Sequence, residues 1–195
     1  ALARMGSDSV EYIVTVAHGA AVAALIDGQL LTLPFDYEQD LPPDMLADYR
    51  AARAPFAETG SPALPLGLNF GAQLWWLGRL QPQAMARATL LPWAQYWSWF
   101  LCGKAVSEVT SLGCHSDLWN PTTGQFSSLA AHMGWVDRFA PMARAGDVVG
   151  TLTPAIAART GLSPQVKVLA GLHDSNAALL AARGFPAIAD NEATV

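Results

Sequence analysis

Apolar stretches lie near both ends of the chain, and their residue types predict extended structure. Residues 12–26 form two mostly apolar runs, rich in β-branched residues at the start, with a glycine-containing break between them. Such residues favour pleated, half-buried strands. The dipeptide Asp27-Gly28 follows and lies between apolar runs, which is a strong signal for a tight hairpin.

In the middle of the chain, polar, proline-rich and helix-periodic segments alternate. Residues 36–64 are polar and rich in proline, so we expect a surface excursion there. One short helix should follow Pro42-Pro43, because proline suits a first helical turn. Beyond this excursion, apolar periodicity, caps and glycine or proline stops predict helices over residues 68–80, 92–101, 127–133, 153–159 and 175–183.

A strand precedes the last of these helices, and the junction carries two chemically active side chains. Residues 166–170 are mostly apolar and end at Gly171, and His173 and Asp174 follow. Open α/β sheets bind ligands at the carboxyl ends of their strands. The whole pattern predicts an α/β fold with strands near both ends of the chain and helices between them.

Composition and charge narrow the classes of protein. The 195 residues are 52% hydrophobic with a formal net charge of −5, and Lys and Arg are scattered singly. Nucleic acid is not an expected partner, because it would require a basic patch. The most apolar windows, residues 65–78 and 90–103, are interrupted by polar residues and are shorter than the roughly 20 residues of a membrane span. A membrane is therefore not an expected partner either.

The two cysteines, Cys102 and Cys114, have no metal-type spacing. No secretory signal pattern precedes them, and unpaired thiols favour a reducing compartment. The sequence thus predicts a cytoplasmic protein.

Asp174 has two interpretations on pattern alone. Asp is among the best N-cap residues, and "DSNAALL" is typical of a capped helix. The alternative is a catalytic carboxylate at the ligand-binding edge of the sheet. Taken alone, the pattern favours the cap for Asp174. For His173 it favours a structural role, in which the ring bonds to a nearby carbonyl. A catalytic role requires further polar groups within hydrogen-bond reach.

Two other segments carry polar groups that could complete a site. In "TVAHGAA" a predicted strand ends at His18 and Gly19. The imidazole could donate to a ligand hydroxyl, and the glycine would let a ligand approach the backbone, although it also suits a turn. Asn69 and Gln73 are four residues apart on a predicted helix, beside an apolar stripe, so they share a face that meets either a ligand or solvent.

The loop "SEVTSLGCHSD" holds Glu108, Thr110, His115 and Asp117. Polar residues in such loops most often cap turns. The seven tryptophans, five of them between Trp75 and Trp99, are more typical of a core than of a stacking platform. We therefore expect structural roles for both sets.

Three stretches together resemble the FGGY family of carbohydrate kinases. They are "VTVAHGAAVAALIDGQLLTLPFDYE", "LLPWAQYWSWFLCGKAVSEVTSLGCHSDLWNPTTGQFSS" and "VGTLTPAIAARTGLSPQVKVLAGLHDSNAAL", of which the third is the most specific. The resemblance implies an α/β, actin-like ATPase (ribonuclease H-type) lobe with a mixed sheet and flanking helices. It implies that Asp174 is the general base for the sugar hydroxyl being phosphorylated, and that His18 and Gly19 hold the sugar. Asn69 and Gln73 match the family's second substrate-facing helix more weakly.

The resemblance also implies a reaction and its requirements. The reaction is ATP-dependent phosphorylation, with Mg²⁺, of a ketose such as rhamnulose, fuculose or xylulose. The implied partner is a small-molecule sugar. A homodimer is one oligomeric state that the resemblance leaves open.

Family members are more than twice as long. They carry an N-terminal Asp-Gly-Thr-type hairpin and a C-terminal Ser-x-Gly-Thr-type hairpin for the ATP phosphates, and neither pattern occurs in this sequence. We therefore expect residues 1–185 to form the sugar-binding lobe without its first phosphate-binding hairpin, and residues 186–195 to begin the ATP-binding lobe. This chain alone should bind a sugar without phosphorylating it.

Two other functions stay open. One is a sugar-binding module without catalysis. The other is a hydrolase that uses "AHG" as an oxyanion turn with His173 and Asp174, but the sequence contains no Gly-x-Ser-x-Gly nucleophile elbow.

Overall fold

Short strands and helices alternate through the computed structural model, which describes residues 10–185. The strands are β1 (Tyr12–Ile13), β2 (Val16–Ala17), β3 (Val22–Ile26), β4 (Gln29–Leu30), β5 (Thr89–Pro92), β6 (Ser107–Glu108), β7 (Trp119–Asn120), β8 (Gln125–Phe126), β9 (Met142–Ala143), β10 (Val148–Thr151), β11 (Lys167–Leu169) and β12 (Leu172–His173). The helices are α1 (Pro43–Ala52), α2 (Phe56–Thr59), α3 (Phe70–Leu80), α4 (Pro82–Met85), α5 (Trp93–Cys102), α6 (Val109–Leu112), α7 (Ser128–His132), α8 (Pro154–Thr160) and α9 (Asp174–Arg183), with a 3₁₀ helix at Val136–Arg138.

The two ends of the described chain pair with each other in parallel. β1 lies beside β11, and β2 lies beside β12, so the same two segments pair twice. The ladder is interrupted at Gly171, whose φ is 80°. A methyl group there would lie 2.2 Å from Thr15 Oγ1, so glycine is required both by the left-handed backbone and by the close approach. The antiparallel strand β10 completes the β1-β11-β10 sheet, which makes the sheet mixed and confirms strands near both ends.

A separate antiparallel sheet has the order β4-β3-β5. β3 and β4 form the predicted hairpin, because Ile26 pairs with Gln29 and leaves a two-residue loop. Asp27 and Gly28 have φ values of 50° and 73°, and positive φ at both loop residues is the requirement of a type I′ turn. The hairpin prediction is confirmed. The remaining pairs are the parallel β6-β9 and the antiparallel β7-β8.

The largest apolar core surrounds α3. Its predicted stripe of Phe70, Leu74 and Leu77 is buried, and α1 packs on the same cluster through Met45 and Tyr49, each 2% exposed. The prediction of a surface excursion over residues 36–64 is therefore wrong for α1. Its two buried side chains are four residues apart and share one helical face, which the surrounding polar residues obscure.

The predicted helices are present with small shifts at their ends. Ser127 and Thr153 accept hydrogen bonds from backbone N–H groups as the caps of α7 and α8. Helix α9 begins at Asp174, one residue before the predicted start. Over residues 10–185, no helix is both long and apolar enough to cross a bilayer. The prediction that residues 186–195 begin a second lobe falls outside the described residues.

Candidate functional site

The predicted site residues that follow two strands lie together at one edge of the sheet. Strands β2 and β12 run parallel with His173 opposite Ala17, so both strands end at the same edge. His18 and Gly19 follow β2, and Asp174 follows β12. A methyl group on Gly19 would lie 3.0 Å from the His173 ring. We call His18, Gly19, His173 and Asp174 the corner site.

Asp174 is the first residue of α9 rather than its cap. The N-cap position belongs to His173, whose side chain makes no cap hydrogen bond. The Asp174 side chain is half exposed, at 51%. Its Oδ1 accepts from the Ser175 backbone N–H at 2.6 Å and lies 3.2 Å from His173 Nε2. A carboxylate in the first turn of a helix interacts favourably with the helix dipole, and at this position the Asp174 side chain is also open to solvent.

His173 is buried, with 7% of its surface exposed, and its ring contacts two side chains of α9. Besides the contact between Nε2 and Asp174, its Nδ1 lies 3.1 Å from Asn176 Oδ1. Its backbone N–H donates to Thr110 Oγ1 at 3.0 Å. The ring is thus held by side chains, and the backbone is held by a neighbouring loop.

Glu108 anchors this loop. It is 1% exposed, and its Oε2 accepts from the backbone N–H groups of Thr110 and Ser111 and from the Thr110 hydroxyl at 2.6 Å. These bonds cap α6, as expected for a polar loop residue. They also orient the Thr110 oxygen toward the His173 backbone, so the buried carboxylate supports the corner site.

Gly19 packs against a thiol. A methyl group at this position would lie 2.2 Å from Cys114 Sγ, and the Cys114 S–H group contacts the Ser111 and Gly19 carbonyl oxygens at 3.1 and 3.5 Å. Burial raises the pKa of the Cys114 thiol to about 12. Cys114 is therefore a neutral wall of the corner site.

One ring nitrogen of His18 is bound to the backbone. Its Nδ1 accepts from the Ala20 backbone N–H at 3.2 Å, so the neutral ring carries its proton on Nε2. The ring contacts Tyr37 edge to face, with centroids 5.2 Å apart. Within residues 10–185 the Nε2–H group makes no hydrogen bond, so it is left as a donor.

His115 also lies near the corner site. The sequence had predicted only a turn cap for it. Its ring is perpendicular to the His173 ring with centroids 6.3 Å apart. Burial, and next the nearby His173, lower the pKa of His115. Its Nε2 is buried and has no hydrogen-bond partner within residues 10–185. His115 is accordingly a neutral imidazole beside the corner site.

Asn69 is 2% exposed, so the solvated-face alternative is wrong for it. Its side-chain nitrogen donates to the carbonyl oxygens of His115 at 2.9 Å and Pro62 at 3.0 Å and to Ser61 Oγ at 3.1 Å. Its Oδ1 accepts from the Leu64 backbone N–H at 2.8 Å. The amide therefore ties the segment before α3 to the loop that carries His115.

Gln73 is also buried, at 1% exposed, so it does not face solvent either. Its Nε2 donates to the carbonyl oxygens of Ala20 at 2.8 Å and Gly67 at 2.7 Å. Ala20 directly follows Gly19, so Gln73 fixes the turn of the corner site from behind. Its Oε1 has no partner within the described part of the chain.

Two polar residues of α5 support the site but were missed by sequence reasoning. Gln95 Nε2 donates to the carbonyl oxygens of Ala170 and Gly171, at 3.2 and 3.1 Å, and Ser98 Oγ donates to Ala170 at 2.8 Å. Both side chains are 0% exposed. The available signal was their spacing, because two polar residues three apart in an aromatic helix share one face.

Asp117 does not cap a turn as expected. Its buried carboxylate accepts from the Tyr49 hydroxyl at 2.5 Å and from Arg53 Nε and Nη2 at 3.1 and 2.6 Å. Burial, and next the Asp117 charge, raise the pKa of Tyr49 well above its ordinary value. This ion pair joins α1 to the loop before β7.

Open α/β sheets bind their ligands at the carboxyl ends of the strands, and the half-exposed Asp174 carboxylate lies at such an end. The FGGY family of carbohydrate kinases, N-terminal domain, matches residues 54–181. The chain belongs to this family, and its fold is the actin-like ATPase fold with a mixed sheet and flanking helices. The fold class expected from the resemblance is confirmed.

Several solved structures of kinases are similar to this chain. A carbohydrate kinase from Novosphingobium aromaticivorans is 68% identical with a TM-score of 0.94, over 98% of this chain and 42% of that one. A xylulose kinase from Rhodospirillum rubrum is 23% identical with a TM-score of 0.73, over 88% of this chain and 37% of that one.

A gluconate kinase from Lactobacillus acidophilus is 17% identical with a TM-score of 0.76, over 90% of this chain and 36% of that one. This likeness and that to the xylulose kinase show the fold alone. A search of curated proteins found no match. The chain spans less than half the length of these solved relatives.

Proposed function

We propose that this chain is the sugar-binding portion of a carbohydrate kinase, and that Asp174 is the base for the hydroxyl being phosphorylated. The observation that carries the proposal is the Asp174 carboxylate, which is half exposed at the end of a parallel strand pair and beside the His173 ring. One of its oxygens, Oδ1, accepts from the Ser175 backbone N–H and lies 3.2 Å from His173 Nε2. Within residues 10–185 the other oxygen, Oδ2, makes no hydrogen bond to protein and is free to accept a proton.

The proposal gives the other predicted residues two kinds of role. The His18 Nε2–H group donates to a sugar hydroxyl, and the Gly19 backbone lets the sugar approach the strand end. For Asn69 and Gln73 we propose support rather than sugar contact, because their amide donors are used by protein oxygens. Such a crevice discriminates between stereoisomers, since a misplaced hydroxyl leaves buried polar groups unpaired.

The proposed phosphoryl donor is ATP with Mg²⁺, as the family generally uses. Within residues 10–185, no group of three His, Cys, Asp or Glu side chains forms a cation site. The chemistry proposed for the described residues concerns the sugar. In line with this, residues 1–185 are proposed to be a sugar-binding lobe that binds but does not phosphorylate alone. The cytoplasmic location and the homodimer stay predictions.

The proposed substrate is a ketose of the rhamnulose, fuculose or xylulose type. Xylulose kinases and a gluconate kinase have the same fold as this chain, so a substrate panel should contain all three ketoses and gluconate. The hydrolase alternative would need a nucleophile, and the Cys114 thiol beside the corner site stays protonated because burial raises its pKa to about 12.

The test is Asp174→Asn in the full-length gene product. We expect ADP release with the preferred sugar to fall about 100- to 10,000-fold, the usual contribution of a general base, while calorimetry shows sugar affinity within a few-fold of wild type. Asp44→Asn is the matched control, because Asp44 is an exposed carboxylate in the first turn of α1, and it should leave turnover unchanged.

Retained turnover in Asp174→Asn would remove Asp174 from the mechanism. Sugar binding without any turnover in the wild-type full-length protein would favour a binding module. Ester hydrolysis without ATP would favour the hydrolase.

A further inference from the structure

We infer that a cavity at the opposite end of α3 from the corner site binds a small ligand that joins an apolar ring to one anionic group, such as an aromatic carboxylate. The cavity lies between the second half of α3, helix α4 and the 3₁₀ helix. Gln73 supports the turn of the corner site, and Arg79 at the cavity is about 9 Å further along α3 at the rise of an α-helix. No residue of the corner site lines the cavity, so this inference does not rest on the proposed function.

The walls of the cavity are mostly apolar. Its volume is about 540 Å³, within the range of about 300–1,000 Å³ that is usual for small-molecule sites. The apolar lining residues are Trp75, Pro82, Met85, Met133 and Trp135. Met85 and Trp135 are each 5% exposed and belong to the largest core. An apolar ring would therefore leave water against a surface that the core already holds in place.

Gly78 keeps one wall of the cavity open. It lies inside α3 and lines the cavity, and a methyl group added there would meet no atom within 4 Å. Its φ is not among the positive values of the chain, so neither crowding nor backbone conformation requires glycine. Glycine inside a helix lowers stability relative to alanine. What glycine provides at this position is open space for a ligand.

Arg79 of α3 and Arg138 of the 3₁₀ helix bring positive charge to the cavity from two sides. Arg138 Nη1 donates to the Ala86 carbonyl oxygen at 2.9 Å, and Ala86 lines the cavity as well. This bond holds the guanidinium at the cavity, and within residues 10–185 its other N–H groups have no protein acceptor. Arg79 pairs with the Asp48 side chain, and the two are 45% and 56% exposed. Such an exposed pair contributes little to stability, so Arg79 can exchange it for a ligand.

The charge around the cavity differs from that of the whole chain. The sequence has 16 Asp and Glu against 11 Lys and Arg, a formal net charge of −5, whereas the described residues that line the cavity include two arginines and no acidic side chain. The planar guanidinium matches the geometry of a carboxylate and binds it through charge-assisted hydrogen bonds. Apolar walls with guanidinium groups at the edge thus define the ligand as an apolar ring with an anionic group.

The first experiment uses cinnamate, a phenyl ring that carries a carboxylate. The full-length gene product is labelled with ¹³C at its methionine methyl groups and titrated with cinnamate. The aromatic ring should shift the methyl signals of Met85 and Met133 until the site is saturated, and leave that of Met142, which lies on β9 outside the cavity, in place. Unchanged signals of Met85 and Met133 would overturn the inference.

The second experiment tests the position and the charge of the site by calorimetry. Gly78→Leu fills the cavity and should abolish cinnamate binding. Arg138→Gln should weaken binding about 10-fold, the scale of one charge-assisted hydrogen bond, and the neutral analogue cinnamamide should bind the wild type about 10-fold more weakly for the same reason. The matched control is Arg159→Gln, which removes an exposed arginine of α8 outside the cavity and should leave the affinity unchanged.

Retained binding in Gly78→Leu would refute the position of the site. Equal affinities for cinnamate and cinnamamide, or equal losses in Arg138→Gln and Arg159→Gln, would refute the anionic class of ligand. Asp174→Asn should bind cinnamate as the wild type does, so a failure of the proposed function would leave these results unchanged.

Discussion

Replacing Gly19 by alanine tests the tight packing on which the corner site depends. The added methyl group would lie 2.2 Å from Cys114 Sγ and 3.0 Å from the His173 ring. Carbon and sulfur atoms in contact are normally well over 3 Å apart, so at least one neighbour must move. Moving the thiol breaks its contacts with the Ser111 and Gly19 carbonyl oxygens, and moving the ring disturbs the contact with Asp174.

Overpacking of this kind typically costs about 1–3 kcal/mol. In a domain of this size that loss lowers Tm by about 2–12 °C. The double variant Gly19→Ala with Cys114→Ala removes the sulfur and should recover most of the loss. The stability that is not recovered reflects the 3.0 Å approach of the methyl group to His173. Because the two substituted residues are in contact, their effects should show a coupling energy of about 0.5–3 kcal/mol.

The measurement is urea denaturation of the single and double variants, followed by circular dichroism. Gly78→Ala is the matched control, because Gly78 lies within α3 and an added methyl meets no atom within 4 Å. Alanine in a helix should raise stability there by about 0.5–1 kcal/mol. If Gly19→Ala is as stable as wild type, or if Cys114→Ala gives no rescue, the packing argument is wrong.

Two further predictions concern buried polar groups. Asp117→Asn should lower the free energy of unfolding by about 3 kcal/mol in chemical denaturation, because it removes the buried partner of this ion pair and leaves the partly buried Arg53 guanidinium without its counter-charge. Asp48→Asn, which breaks the exposed pair with Arg79, should cost less than about 1 kcal/mol, and equal losses would refute the distinction. Cys114 should resist iodoacetamide at pH 8, because a pKa of about 12 leaves a thiolate fraction of about 10⁻⁴. Its labelling rate, followed by mass spectrometry, should rise about tenfold per pH unit, and rapid labelling of the native protein at pH 8 would contradict the burial of this thiol.

Sequence patterns predicted the elements whose signals are local. The Asp27-Gly28 hairpin, the capped helix α8 and the apolar stripe of α3 all depend on residues within a few positions of each other. Strand β5 was missed because "TLLP" is a short apolar run, and periodicity cannot tell such a run from a helical segment. Strand β10 was missed because its hydrogen-bonded partner is β11, a separate strand later in the chain.

The candidate site was predictable as a set of strand ends but not as a set of contacts. A strand that ends in "AHG" and another that ends in "GLHD" suggested one shared edge, and the parallel pairing of β2 with β12 brings them together. The partners of Asn69 and Gln73 could not be read from the chain, since a helical face with two amides looks the same whether it meets solvent, sugar or backbone. The second role of Glu108, which is to orient Thr110 toward His173, could not be predicted either. The hydrogen bond between Thr110 and His173 joins residues 63 positions apart in the chain.

By itself, the sequence determined the family, the class of fold, the order of most elements and the position of the carboxylate at Asp174, because these depend on local pattern and on motif resemblance. Only the tertiary structure decided what that carboxylate touches. The parallel pairing brings Gly19 against His173, the loop around Cys114 closes the site from behind, and α5 fixes the strand end through Gln95. These contacts join residues far apart in the chain, where burial and hydrogen-bond geometry, rather than local preference, select the partners.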